Sequence, residues 1–140
     1  MRKIKQTLAF VLVLIVVFSM CSLALAYSSN TATWSSTICT NRFTTDQYIE
    51  KHLSNATWST INVQANSVTH TPGGGDDISF RLVTSDGVAM STIVSWKGGL
   101  PPIPFQDMNY PTTNKVHVQV INPLSGTNMA STGQFSGFYY

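Results

Sequence analysis

Charge is scarce in this sequence, and cysteine scarcer. Only 10% of its 140 residues are Asp, Glu, Lys or Arg, and there are 2 cysteines. Glu50 is the sole glutamate, and Asp46, Asp76, Asp77, Asp86 and Asp107 stand mostly in turn-like contexts, which argues against the pair of positioned acids that glycoside hydrolysis needs. The three histidines, His52, His70 and His117, have no second His, Cys or carboxylate at a zinc-binding spacing. No G-x-S-x-G elbow is present. The 8 basic residues exceed the 6 acidic ones, but Arg2, Lys3 and Lys5 sit at the extreme N-terminus. From residue 27 onward five basic residues face six acidic ones, a net charge of −1. The composition therefore gives no reason to expect a nucleic-acid partner.

What is present begins with a leader. A basic start, Met1 to Lys5, precedes an unbroken apolar run from Leu8 to Phe18, and Ala24–Leu25–Ala26 places small residues at a cleavage site. Those three features in that order read as a signal peptide over residues 1–26, cut after Ala26. The alternative is an uncleaved N-terminal anchor with the domain outside, since Leu8 to Ala26 is just long enough to span a bilayer. On either reading the remainder is exported, because the basic end stays inside. Membrane contact is expected only through this segment before it is cut. Met20 before Cys21 does not fit a lipoprotein box, which wants a small residue there. Cleavage leaves Cys39 alone, so no internal disulfide can form. The Thr37–Ile38–Cys39–Thr40 context reads as a strand, with Cys39 as a small buried hydrophobe.

Residues 27–140 make one domain, large enough for its own core. Ser and Thr supply 30 of these 114 residues and Asn nine. That favours strands and turns over helices. Period-two alternation recurs in Ile61–Asn62–Val63–Gln64–Ala65, in Ile78–Ser79–Phe80–Arg81–Leu82 and in Val116–His117–Val118–Gln119–Val120. Ser85–Asp86–Gly87 reads as a hairpin turn, since Gly87 accepts the positive φ such turns demand. Strands are predicted near 31–39, 57–68, 78–84, 87–96, 115–121 and 133–139. One short helix is predicted over 45–53, capped by Thr45 and burying Tyr48, Ile49, His52 and Leu53. The fold class is all-β, a small antiparallel sandwich, with a barrel as the alternative. Ala32–Thr33–Trp34–Ser35–Ser36–Thr37–Ile38 echoes Ala56–Thr57–Trp58–Ser59–Thr60–Ile61, as if two similar strands lay side by side.

A tryptophan-led strand at Trp58–Val63, a second tryptophan in a hairpin region, the Val116–Asn122 strand and the terminal Ser136–Gly137–Phe138–Tyr139–Tyr140 come in that order behind a signal peptide. The series resembles a group of small exported proteins of unknown function from Gram-positive bacteria, over about residues 57–140. The resemblance implies export and a β fold, and no active site. The chain departs from that pattern where Ile61 and Val63 fall out of phase with Trp58. Either a bulge intervenes there or the likeness is one of chance.

Two segments invite a functional reading. Gly73–Gly74–Gly75–Asp76–Asp77 lacks the Lys of a phosphate cradle. Its aspartates offer oxygens to calcium, against the plainer reading of a strand connector. The stretch from Trp96 through Leu100–Pro101–Pro102–Ile103–Pro104–Phe105 is unusually apolar for a connection. Either it covers one end of the sandwich, or Trp96, Leu100, Ile103 and Phe105 form an interaction patch. The expected function is a non-enzymatic exported domain that binds an extracellular protein or cell-surface ligand and needs no metal or cofactor. A bacteriocin-like secreted antagonist is the alternative, and a secreted hydrolase ranks third.

Overall fold

A computed structural model describes residues 28–140, and the leader lies outside them. These residues form an all-β sandwich of two antiparallel sheets. In chain order the strands are β1 (Ser28–Cys39), β2 (Arg42–Thr44), β3 (Ile49–Glu50), β4 (Trp58–Thr71), β5 (Asp77–Thr84), β6 (Val94–Lys97), β7 (Ile103–Phe105), β8 (Lys115–Ile121) and β9 (Asn128–Tyr139). The first sheet runs β1-β9-β4-β7, and the second runs β2-β8-β5-β6 with β3 also paired to β8. Each sheet keeps two edges, which excludes the barrel.

Alternation builds the core. Val116, Val118 and Val120 of β8 point inward, as do Ile78, Phe80 and Leu82 of β5. They meet Ile61, Val63 and Phe135 of the first sheet in one apolar cluster. Complete burial of Phe80 alone contributes about 1.5–3 kcal/mol.

The two tryptophans of the sequence echo have equivalent tasks. β1 and β4 are not neighbours; both pair with β9, one on each side. Trp34 lies over Gly133 and Trp58 over Gly137, so close that a Cβ would stand 2.1 Å and 2.4 Å from their rings. Each indole N–H is satisfied: Trp34 Nε1 donates to Ser131 Oγ at 3.3 Å, and Trp58 Nε1 to the Thr113 carbonyl at 2.8 Å. Each ring then stacks obliquely on a neighbour, Trp34 on Phe80 and Trp58 edge-on to Tyr139. The ladder shifts register just after each tryptophan, between Trp34 and Thr37 and between Trp58 and Thr60. The second bulge accounts for the phase break: it lets Trp58, Ile61 and Val63 all face the core.

Several local expectations are corrected. Residues 45–53 form no helix. The Thr45 hydroxyl, expected to cap one, accepts from Val118 N–H at 3.2 Å, and Thr45 N–H donates to the Val118 carbonyl. The segment is thereby held to β8 as an interrupted edge strand, and β3 completes it. Of the four residues expected on a buried helical face, only Ile49 is buried; Tyr48, His52 and Leu53 are exposed. Likewise the strand expected over 87–96 breaks near its middle. Leu82 N–H donates to Ser91 Oγ at 2.9 Å, so a side-chain oxygen replaces the backbone partner there. The Gly87 turn forms with φ of 78°, closed by Gly87 N–H on the Thr84 carbonyl. His117 is half-buried: Nδ1 donates to the Thr45 carbonyl at 2.8 Å and the ring lies against Tyr48.

Lys51 is a buried cation, 4% exposed. Its ammonium donates to the carbonyls of Ala56 and Thr112, tying two loops together without a carboxylate. Burial pulls its pKa below 10.5. As pH rises towards 10.5 the folded chain releases this proton before the unfolded chain does, so folding stability gains over that window. Lys51→Met is expected to flatten this alkaline gain and, at neutral pH, to cost about 1–3 kcal/mol through two unpaired carbonyls. Urea midpoints measured against pH for both proteins check it.

Cys39 is a free thiol only 8% exposed, and burial pushes its pKa up. It should therefore react with a thiol reagent far more slowly in the native protein than after urea unfolding. Equal rates would contradict its burial. A covalent dimer through Cys39 is disfavoured by the same geometry.

Candidate functional site

The apolar stretch after β6 divides. Trp96, the third residue of β6, has its ring in the core, 5% exposed, and Nε1 donates to the Pro101 carbonyl at 3.1 Å. Phe105 closes β7 and is also 5% exposed, in register with Ile61 of β4. Ile103 is half-buried against the core beside Val63. Only Leu100 is a free apolar side chain, 50% exposed. The expected four-residue patch is thus corrected: Trp96 and Phe105 are core residues, and Ile103 belongs to an edge strand.

Leu100 is nevertheless placed with care. Lys97 to Leu100 is a tight turn, with Leu100 N–H on the Lys97 carbonyl and Gly99 at φ of 80°, a conformation that favours glycine. The turn and the indole bond to Pro101 fix Leu100 from both sides. The Asp76 carboxylate occupies the space beside Gly98, its Oδ2 1.9 Å from where a Cβ would be. Asp76 is therefore folded onto the turn, while Asp77 pairs opposite Lys97 in the β5–β6 ladder. Among the described residues no three His, Cys, Asp or Glu side chains gather as a metal site, and these two aspartates do not form the core of one.

Leu100 and Asp76 flank a groove of about 500 Å³ whose far wall is β4 from Gln64 to Val68. β7 pairs with β4 only from Ile61 to Val63, so the outer edge of β4 lies open where the groove begins. A second hollow, about 230 Å³, continues onto the outer face of the first sheet, between Pro102 and the side chains of Asn62, Gln134, Ser136 and Thr31. Gln64 lines both. The cross-strand register aligns these groups in two rows. Thr31, Ser136 and Asn62 form one, and Thr33, Gln134 and Gln64 the other.

The electrostatics are lopsided. β1, β4, β7 and β9 contain no Asp, Glu, Lys or Arg. Among the described residues, Arg42, Arg81, Lys97 and Lys115 all belong to the second sheet, at positions alternating with core residues, and the fifth cation, Lys51, is buried. Lys115 is itself engaged there: its ammonium donates to the Tyr48 hydroxyl at 3.3 Å and lies 3.9 Å from Glu50, contacts that raise its pKa. A further hollow of about 410 Å³ opens between β1 and β2. Its aromatic floor, Trp34, and its Thr45 hydroxyl are already committed to internal hydrogen bonds.

The amides of this site were missed in the sequence because polar residues at alternate strand positions are ordinary. A readable signal was there: residues 27–41, 52–75 and 116–140 contain no Asp, Glu, Lys or Arg. Comparison of the chain with protein-family models and with curated proteins finds no match.

Proposed function

We propose that this chain is an exported, non-enzymatic binding domain, released after Ala26, whose ligand docks in the groove between Leu100 and Gln64. The observation that carries this reading is the first sheet, whose four strands are free of charge and whose polar outer face runs into a preformed groove. A solvated face with no other task ordinarily carries Lys and Glu, which keep edges and faces from sticking. Leaving charge out of an entire sheet, while every exposed cation among the described residues lies on the other, favours a surface kept for a partner. Leader, domain size and the resemblance to small exported proteins support an extracellular setting.

Co-sedimentation of the mature protein with isolated cell envelopes tests the reading. Leu100→Asp is expected to weaken capture about tenfold or more, a loss of roughly 1.4 kcal/mol in binding. Its folding stability should stay within about 0.5 kcal/mol of the parent, as for other surface changes. Capture indifferent to Leu100→Asp would contradict the site. Release of soluble sugar or peptide from the envelopes would contradict the non-enzymatic reading.

A further inference from the structure

Resting on that binding reading, we propose that the ligand is an uncharged, hydroxyl-rich glycan chain lying across β4, β9 and β1. The two hollows share Gln64 in their walls, and end to end they run from Leu100 to Thr31. Three adjacent strands span about 10 Å across the track, and its two rows of side chains lie about 7 Å apart along the strands. That frame suits a chain of sugar rings better than a single small molecule.

The chemistry of the lining selects the ligand class. Asn62, Gln64, Asn66 and Gln134 make no side-chain hydrogen bond to any described residue. Each amide therefore presents a donor and an acceptor side by side, the pattern that neighbouring sugar hydroxyls complement. Thr31 and Ser136 add hydroxyls of the same dual character. Leu100 and Pro102 supply the apolar flanks on which the C–H face of a sugar ring rests. An anionic polymer finds no cation here, only the Asp76 carboxylate. Its complement lies on the opposite sheet. A peptide adding as a strand finds open backbone only at the outer sides of β4 and β1, away from the middle of the track, because β9 is paired on both sides.

Affinity electrophoresis in native gels cast with single polysaccharides tests the proposal. The neutral probes are hydroxyethyl cellulose, laminarin, galactomannan and glycol chitin in its N-acetylated form; the anionic probe is polygalacturonate. The mature protein should be retarded by at least one neutral probe and not by polygalacturonate. Gln64→Ala and Asn62→Ala should weaken that retardation about tenfold while thermal melts stay unchanged. Absence of retardation by every neutral probe overturns the proposal. So does retardation by polygalacturonate alone, or retardation that Gln64→Ala leaves intact. A self-association that Leu100→Asp abolishes also overturns it, because the face would then belong to a second copy. If envelopes are still captured in a Leu100-dependent way while neutral glycans fail, the ligand class is wrong and the binding site stands. If both fail, both readings fall.

Discussion

Phe105→Ala is expected to destabilise the domain by roughly 3–5 kcal/mol, the cost of truncating a buried phenylalanine. The ring is almost fully buried and belongs to the main core cluster. Its strand, β7, is three residues long and has only β4 for a partner. Backbone pairing that short cannot hold the strand, so the ring must anchor it. Loss of the anchor should also release Pro102 and Leu100 from their places beside β4. The variant should therefore bind poorly as well as melt early, whereas Leu100→Asp binds poorly with its melt unchanged. A urea melt of Phe105→Ala that moved by only about 0.5 kcal/mol would show a surface residue and contradict the packing described here.

A methyl group on β9 should have a comparable effect. Gly133→Ala places a Cβ 2.1 Å from the Trp34 ring and 2.5 Å from the Gln64 carbonyl oxygen. Gly137→Ala places one 2.4 Å from Trp58 and 2.6 Å from Ile49. Ile49 Cδ1 is the end of a side chain and can give way, but the two indole rings and the Gln64 carbonyl cannot. Trp34 is held by Ser131 and packed on Phe80 and Phe135, and Gln64 O is backbone. The strand must move or the indole must leave the core. Overpacking ordinarily costs about 1–3 kcal/mol, and a clash with backbone belongs at or above the top of that range. Thermal denaturation of each variant checks it. The paired change Gly133→Ala with Trp34→Leu should recover part of the loss, because the smaller side chain vacates the space over β9.

These glycines also show where the sequence was legible and where it was not. β5 and β8 were readable because their inward positions are Ile, Phe, Leu and Val, so hydrophobic alternation was visible. β9 alternates just as strictly, but its inward residues are Met129, Ser131, Gly133, Phe135, Gly137 and Tyr139. Three of the six have no apolar side chain, because tryptophans from β1 and β4 fill the space from across the ladder. The start of that strand was therefore invisible one residue at a time. β2, β3 and β7 are two or three residues long and carry no periodic signal. Around Thr45 the local composition favoured a helix cap, and a long-range bond to Val118 outweighed it. The same logic governs the site. Trp96 and Phe105 drew notice for being aromatic and apolar, the properties that put them in the core. Gln64 and Asn62 drew none, because only the pairing of β4 with β9 and β1 sets them in rows.

The most direct test of the groove is amide hydrogen exchange on the mature protein, alone and bound to solubilised envelope material. The account predicts slowed exchange at Gln64–Val68 and Gly98–Leu100 and at the Thr31, Asn62, Gln134 and Ser136 positions of the first sheet, with β8 and β2 unchanged. Protection centred instead on Arg42–Thr44 and Lys115–Ile121 would move the site to the cationic sheet and contradict the account.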